Sequence, residues 1–550
     1  MPSPAAREGL DARLRALSAV GPWPWAALTA ALALAVYAGS LRNGFVFEDV
    51  PAVLHNDAVR GPFSLARIFS ADAWGLALGP GTDPDAYRPL TVLTLALDWR
   101  LGGGRPWVFH ATNAALHALA SALVLRFAWG RLSSNVGAVA AGAVFAAHTL
   151  HTDAVSPAAG RAEVLTLLAA MAVYALHGRA GRASRAGAAL ALLAGLLARP
   201  SALVALPLVM VRDAREAVPL RAWPARYAGY AASLATVAAL RWRSLGAPVD
   251  GRARSLHNPL IDASWTERAV TAVRTFGRAA RLTMAPLDLL PDYAPGAIVP
   301  STRLDADVAL GAASLAALVG FVAWGWRRKH AVGDAAAWTL LAGVAAVNVP
   351  FLLSRPFAER WWYLPSAAAC VLFGAGLARA RHRFGALPSS AALGVTVAAL
   401  ASLTAARHAV WSSDERLMLD ALQVEPRSAL AQMTFGEMQI GHGAPLLALR
   451  RCHKAAAAMP RWAEPWGCIA RASERLGRLD AAAEAYDAMR AREALTVERR
   501  VQYVRFLVRR GRRAEAEREL ERLDREGRWP PRVRELLGRA RAALGATSSR

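Results

Sequence analysis

Long apolar blocks, separated by short polar connections rich in arginine, fill the chain from about residue 23 to residue 405; beyond that, charge becomes dense and the apolar positions recur at helical spacing. Blocks this apolar predict membrane-spanning helices, because about 20 residues of helix cross about 30 Å of hydrocarbon. They lie near 23–41, 107–128, 135–149, 162–177, 186–198, 200–211, 226–241, 306–326, 335–353, 361–378 and 388–405. That is eleven predicted spans, several shorter than a full crossing. No small-residue cleavage pattern follows the first block, which therefore reads as a retained span behind a tail, 1–22, that carries Arg7, Arg13 and Arg15.

Two further segments break the pattern. Residues 88–101 are apolar but short and interrupted by Asp98, which predicts an interfacial or re-entrant segment. In 266–287, Glu267, Thr271, Arg274, Arg278 and Arg281 fall on one helix face with apolar residues opposite, the pattern of a helix lying on a membrane surface. With that helix left out of the count, Arg131, Arg179/Arg182/Arg185, Arg212/Arg215/Arg221, Arg327/Arg328/Lys329 and Arg379/Arg381/Arg383 all fall on the amino-terminal side. This is the cytoplasmic side by the positive-inside rule. The outer loops are then 42–106 and 242–305, and an odd number of spans sends the carboxyl terminus outside.

From residue 406 onward the pattern repeats every 34 residues: Gly443, Gly477 and Gly511 align, as do Ala448, Ala482 and Ala516, and Pro460 lies 34 beyond Pro426. The period is that of tetratricopeptide repeats. The fullest copy reads Trp466-x2-Ile469-Ala470, Gly477-Arg478-Leu479-Asp480, Ala482, Tyr486. Repeats at about 429–462, 463–496 and 497–530, with a half-repeat before and a helix after, predict a short solenoid. The expected fold is all-α: a polytopic transmembrane helical bundle of about 11 spans over 23–405, followed by a tetratricopeptide-repeat α-solenoid over 406–550.

Composition agrees with a membrane chain. Of 550 residues 55% are hydrophobic and only 19% charged, and the mean hydropathy of +0.24 excludes an ordinary soluble protein. A net charge of +24 suggests nucleic acid at first sight, but all but two of the 65 basic residues are arginine in an alanine-saturated chain. That is the mark of GC-rich coding, and no nucleic-acid partner is expected. Cys370, Cys452 and Cys468 lack paired or metal-type spacing and read as packing residues, neither disulfide nor zinc site.

In this topology the ionisable residues that are costly near hydrocarbon, about 2.5–3.5 kcal/mol each, gather on the outer side. They are Glu48, Asp49, His148, His151, Asp153, Arg161, Glu163, Arg199, Asp292, Arg355, Glu359 and Arg360. His148 and His151 with Asp153 supply half of a metal site on a helix end, but no third ligand matches. Hydrogen bonding within a polar site or capping of a helix is the expectation; a divalent metal is possible but unsupported, and no cofactor is expected.

The strings around these residues are Asn43-Gly44-Phe45-Val46-Phe47-Glu48-Asp49, Tyr87-Arg88-Pro89-Leu90-Thr91, Phe109-His110-Ala111-Thr112-Asn113 with His117, and His148-x2-His151-Thr152-Asp153-Ala154-Val155. Gly160-Arg161-Ala162-Glu163, Asn258-Pro259-Leu260, Pro291-Asp292-Tyr293, Ala358-Glu359-Arg360 and Tyr363-Leu364-Pro365-Ser366 follow. In this order, and with the repeats behind them, they resemble the transmembrane and tetratricopeptide-repeat O-mannosyltransferase family, membrane glycosyltransferases of the GT-C fold. The resemblance implies transfer of a mannose-like sugar from a polyprenyl-phosphate donor to a hydroxyl acceptor, protein Ser or Thr, on the extracytoplasmic face.

Such chemistry needs a base for the acceptor's proton and a cation for the departing phosphate. The family carries two consecutive acids at the end of the first span, often Asp-Asp, where this chain has Glu48-Asp49; Asp49 is favoured as the base because it matches an Asp of that pair. Arg355 and Arg360 either anchor a helix at the headgroups or grip the donor phosphate, and Arg161 and Glu163 either pair or address sugar and acceptor hydroxyls. His148, His151, Asp153, Asp292 and Tyr293 complete the expected substrate site. Arg199-Pro200 departs from a Lys-Glu common in the family, which argues against charge pairing there. The arginine- and alanine-rich composition points to a bacterium, hence an inner-membrane protein with periplasmic repeats and an undecaprenyl-phosphate donor. A catalytically silent membrane scaffold, binding partners through the repeats, is the rival reading, and a transporter the third.

Overall fold

The computed structural model describes residues 21–75, 86–132, 134–245, 258–293, 296–349, 352–492, 497–526 and 531–546. The tail with Arg7, Arg13 and Arg15, expected on the inner side, lies outside the described residues, as do parts of both predicted outer loops. Among the described residues there are helices and no β-strand.

Each apolar block becomes a helix, and local chemistry sets its ends. The order begins α1 (Pro22–Tyr37), α2 (Asp57–Arg60), α3 (Leu65–Phe69), α4 (Pro89–Gly102), α5 (Pro106–Ala128), α6 (Asn135–Ala147), α7 (Thr152–Val155) and α8 (Arg161–His177). It continues with α9 (Arg182–Ala198), α10 (Ala205–Arg215), α11 (Trp223–Leu245), α12 (Trp265–Met284), α13 (Ala306–Arg328), α14 (Ala331–Ala345), α15 (Tyr363–Phe384) and α16 (Ala386–Val410). Proline opens α1, α4 and α5, where its missing N–H has no intrahelical partner to lose. Ser134 and Asp305 cap α6 and α13 by accepting from the Gly137 and Val308 N–H groups.

By length and composition six stretches among the described residues can cross a membrane: Pro22–Arg42, Pro106–Ala128, Ala158–His177, Ala306–Arg328, Glu359–Phe384 and Ala386–Val410. Asn135–Ala147 and Ala331–Ala345 are shorter apolar helices. The remaining expected blocks are helical too, within α9, α10 and α11, where the 200–211 block opens as a 3-10 turn, Pro200–Val204. The bundle is therefore a multi-pass membrane structure. Its helices approach closely where side chains vanish: a Cβ on Gly137 would meet the Gly374 carbonyl oxygen at 2.7 Å, and one on Gly374 would meet that of Gly137 at 2.1 Å.

The amphipathic 266–287 segment forms α12, opened by a capping box between Ser264 and Glu267. It packs closely against α13: a Cβ on Gly277 would meet the Asp307 carbonyl oxygen, and one on Gly311 the Val273 carbonyl oxygen. Its arginine face meets protein: Arg274 pairs with Asp305 at 2.8 Å and Arg281 with Asp307 at 3.3 Å. Both flanks of this helix reach one short stretch of chain. Asn258 donates to the Leu353 carbonyl at one end and the Tyr293 hydroxyl donates to Glu359 at the other. Asn348, which holds the Arg355 and Pro356 carbonyls, keeps that stretch folded.

Beyond Val410 come α17 (Asp414–Val424), α18 (Ala429–Gly441), α19 (Pro445–Ala458), α20 (Glu464–Arg475), α21 (Leu479–Arg490), α22 (Val497–Arg509), α23 (Arg513–Glu526) and α24 (Pro531–Ala546). Gly443, Gly477 and Gly511 each sit in a hairpin turn with φ of +76°, +72° and +69°, a region that only glycine enters without strain. Ala448, Ala482 and Ala516 are fully buried where the paired helices touch.

The cysteine expectation needs correction. Cys452 in α19 and Cys468 in α20 form a disulfide with Cα atoms 6.0 Å apart. A separation of 16 residues carries no motif; folding one hairpin against the next brings the two side chains face to face. Only Cys370 stays free and buried, as a packing residue would.

Trp411, Leu417, Met418, Ala431 and Phe435 share one hydrophobic cluster with Phe276, Leu289, Tyr293, Phe357 and Trp362. The first helices after the bundle thus belong to the same core as the loops before α13 and α15. The separate core of the repeats begins around Ile440.

Candidate functional site

The acid pair stands at the end of α1, where the chain turns sharply. Asn43 donates to the His408 carbonyl at 3.2 Å, and Asp49 N–H closes a turn on the Val46 carbonyl at 3.1 Å. Between them Phe47 adopts φ of +57°, which side-chain-bearing residues seldom occupy. Its N–H donates to the Asp414 carboxylate, at the start of α17, at 2.7 Å. The first helix after the bundle therefore touches the residue that immediately precedes the acids.

The two acids differ in environment. Arg360 holds Glu48 with two contacts, Nη1 to Oε2 at 2.6 Å and Nη2 to Oε1 at 2.7 Å, and Arg355 Nη2 adds a third at 3.2 Å. Burial alone would raise its carboxyl, but the arginines prevail and bring it down to about 2. Asp49, 1% exposed, accepts from the Ala159 N–H at 2.8 Å through Oδ1, and its Oδ2 has no hydrogen-bond partner among the described residues. Burial pushes this carboxyl up to about 7, against the pull of the nearby backbone N–H groups, that of Ala159 foremost, and with the Glu48 charge adding to the rise. Adjacent carboxyls with titrations pushed apart are suited to different tasks.

Further charges converge on the same arginines. Arg355 Nη1 reaches Asp292 at 2.6 Å; the Arg360 N–H donates to Asp153 at 3.0 Å, and its guanidinium lies 3.8 Å from the other Asp153 oxygen. Glu359 accepts from Tyr293 at 2.6 Å and from the Leu290 N–H at 2.5 Å. Glu48, Asp153, Asp292, Arg355 and Arg360 thus meet from four separated stretches of chain.

Other expected residues are placed differently. His148 caps the turn at Leu150 and meets the Thr283 carbonyl, while His151 engages the Phe145 carbonyl and Ser366 Oγ. With both ring nitrogens engaged, these histidines secure the loop that carries Asp153. Arg161 does not pair with Glu163: fully buried, it pairs with Asp98 and takes Asn113 at 2.7 Å. Glu163 pairs with Arg199, which also lies over the Trp361 ring, so Arg199 does take part in charge pairing. A single arginine serves here without the neighbouring acid, because its counter-charge comes from another helix. Among the described residues no group of three His, Cys, Asp or Glu side chains is arranged to hold a metal ion.

Sequence reasoning treated Asp98 as an interruption and missed its pairing with Arg161. A lone acid in an apolar block was itself the signal, since such residues are kept only with a partner. Asn113 was visible only within a string, and Asp414 carried no signal, lying hundreds of residues from the acids it adjoins.

No protein-family model matches the chain. Over 134 residues it is 44% identical to the Drosophila melanogaster protein O-mannosyl-transferase Tmtc2, a stretch covering 24% of this chain and 14% of that protein. Over 132 residues it is 39% identical to the human protein O-mannosyl-transferase TMTC3, again 24% of this chain and 14% of the relative. The chain thus resembles these O-mannosyl-transferases over about a quarter of its length and matches about a seventh of theirs. Among solved structures, ArnT from Cupriavidus metallidurans bound to undecaprenyl phosphate aligns with a TM-score of 0.40 and 14% identity, over 84% of this chain and 80% of that one.

Proposed function

We propose that this chain is a membrane glycosyltransferase that moves a mannose-like sugar from a polyprenyl-phosphate donor to a hydroxyl acceptor, a protein Ser or Thr, on the extracytoplasmic face. The observation that carries the proposal is the division between Glu48, saturated by two arginines, and Asp49, buried with one carboxylate oxygen unengaged. In the transfer, the acceptor oxygen bonds to the anomeric carbon and gives up its proton, while the bond from that carbon to the phosphate oxygen breaks and the phosphate keeps the electron pair. Asp49 titrates where a base is useful at neutral pH. Glu48, ionised and locked, serves instead to hold the arginines in place.

Arg355 and Arg360 are the proposed partners of the donor phosphate. Both are now neutralised by Glu48, Asp292 and Asp153, so an arriving phosphate takes over N–H groups currently given to carboxylates, and the bidentate geometry suits it. Asp153, Asp292 and Tyr293, which border these arginines and Glu359, are the proposed partners of sugar and acceptor hydroxyls. The similarity to protein O-mannosyl-transferases supports the sugar and acceptor class.

The 34-residue hairpins are proposed to be tetratricopeptide repeats that recruit the protein acceptor, since a groove tethered beside the site raises the acceptor's local concentration. The Cys452–Cys468 disulfide supports an extracytoplasmic location for them, because disulfides persist in oxidising compartments. In a bacterium this is an inner-membrane protein with periplasmic repeats and an undecaprenyl-phosphate donor. The test incubates the purified chain with radiolabelled polyprenyl-phosphate sugars and total periplasmic protein. Label on protein supports the transferase; partner binding with no label on any protein supports a silent scaffold.

A further inference from the structure

The repeats leave a basic groove open. Between α18, α20 and α22 lies a cavity of about 420 Å³ lined by Arg471, Arg475, Arg505, Arg509, Glu474 and Gln502. Arg471 and Arg505 are 34 residues apart, as are Arg475 and Arg509, so the solenoid stacks like charge beside like charge on neighbouring helices. The protein's own acids neutralise only part of this ladder. Arg471 pairs with Glu437 and Arg509 with Glu474, whereas Arg475 and Arg505, both exposed, have no ion pair or hydrogen bond among the described residues. Guanidinium groups that line one cavity repel one another until a counter-charge arrives.

We propose that this groove binds an acidic peptide segment of the acceptor protein, its Asp and Glu carboxylates taken by Arg475 and Arg505 and its backbone by Gln502. The inference rests on the reading that the repeats recruit a protein acceptor, and it names the chemistry of that acceptor. Arginine forks match carboxylates in bidentate fashion, which favours carboxylate side chains over diffuse negative charge. Glu474 on the groove wall opposes an unbroken run of phosphates, while a peptide can set a neutral residue against it.

The experiment uses the full chain in detergent micelles and fluorescence anisotropy of two labelled peptides. One alternates Asp and Glu with Ser; the other carries Asn and Gln instead. The acidic peptide should bind about tenfold or more tightly than the neutral one, with affinity falling as salt rises past about 0.15 M. Arg475→Gln with Arg505→Gln should remove about a factor of ten, and Arg475→Lys with Arg505→Lys should lose less, with unchanged thermal unfolding showing that both variants fold. Equal affinity for the two peptides, or an acidic-peptide affinity untouched by the Gln pair, overturns the proposal. An oligonucleotide or anionic vesicle that binds more tightly than the peptide through the same arginines overturns it too. The transferase reading fails separately: acidic peptide bound by a chain that transfers no sugar keeps the groove and removes the enzyme. Transfer to a neutral peptide with no acidic preference does the reverse.

Discussion

Asp49→Asn changes one atom of the proposed base and leaves most of the site as it is. Asn retains an oxygen to accept the Ala159 N–H, so the turn that joins the first span to the loop before α8 stays tied. In the native protein the Asp49 carboxyl is raised from 3.8 to about 7. The folded state therefore binds this proton more tightly than the unfolded chain, and keeping the group ionised costs stability. The cost grows from about pH 4 to about pH 7 and is constant above. Three units at 1.36 kcal/mol each make it roughly 4 kcal/mol at pH 8. Asn removes that cost but buries an amide N–H₂ where the unpartnered oxygen was, which returns about 1–3 kcal/mol. The variant should thus unfold later than wild type at pH 8, by about 1–3 kcal/mol, and lose this advantage in acid.

Its transfer rate should move the other way, down by about 10²–10⁴. Wild-type transfer should rise about tenfold between pH 6 and pH 8, as the ionised fraction of a group titrating near 7 goes from about a tenth to about nine-tenths. Thermal unfolding in detergent and single-turnover transfer with labelled donor measure both quantities on one preparation. A variant that keeps its rate, with Glu48→Gln losing it, reverses the assignment of the base. Lower stability at pH 8 refutes the buried-carboxylate reasoning itself.

Arg360→Lys keeps the charge but not the fork, so binding of polyprenyl-phosphate sugar should weaken by about tenfold in a filter or scintillation-proximity assay; unchanged affinity with Arg355→Lys as well places the phosphate elsewhere. Asp414→Ala releases the Phe47 N–H and should cut kcat about tenfold while donor KM holds, whereas Asp414→Asn, which still accepts, should stay near wild type in the same steady-state assay. Gly277→Val forces α12 away from the Asp307 carbonyl and should cost about 3 kcal/mol or more, read as a fall in melting temperature. In intact membranes, a thiol-reactive label should reach Cys452 and Cys468 only after reduction and unfolding, and labelling without reductant contradicts the disulfide.

What the sequence discloses and what it hides divide along physical lines. The eleven blocks and the 34-residue repeats are properties of neighbouring residues, and helices stand at each of them. The gathering of Glu48, Asp153, Asp292, Arg355 and Arg360 was foreseeable as a set, because charges near hydrocarbon must find one another. Which charge meets which was not. Arg161 takes Asp98 and leaves Glu163 to Arg199, since the partner is chosen by helix packing and not by spacing. The disulfide was hidden for the same reason. The seam between the bundle and the repeats was legible in part: the half-repeat that follows the last apolar block at Trp411 with no linker implies close apposition, but that Trp411, Met418 and Phe435 pack into the core beneath the site follows only from tertiary structure. A truncation that cuts before about residue 440 therefore removes part of that core along with the repeats.

The proposed activity joins a sugar to a protein hydroxyl. Mass spectrometry of a purified acceptor, after incubation with the purified chain and polyprenyl-phosphate mannose, tests it most directly. Hexose is expected on Ser or Thr, with one polyprenyl phosphate released for each sugar attached, and neither product with Asp49→Asn. An unmodified acceptor beside intact donor, from a chain that still folds and binds the acceptor, contradicts it.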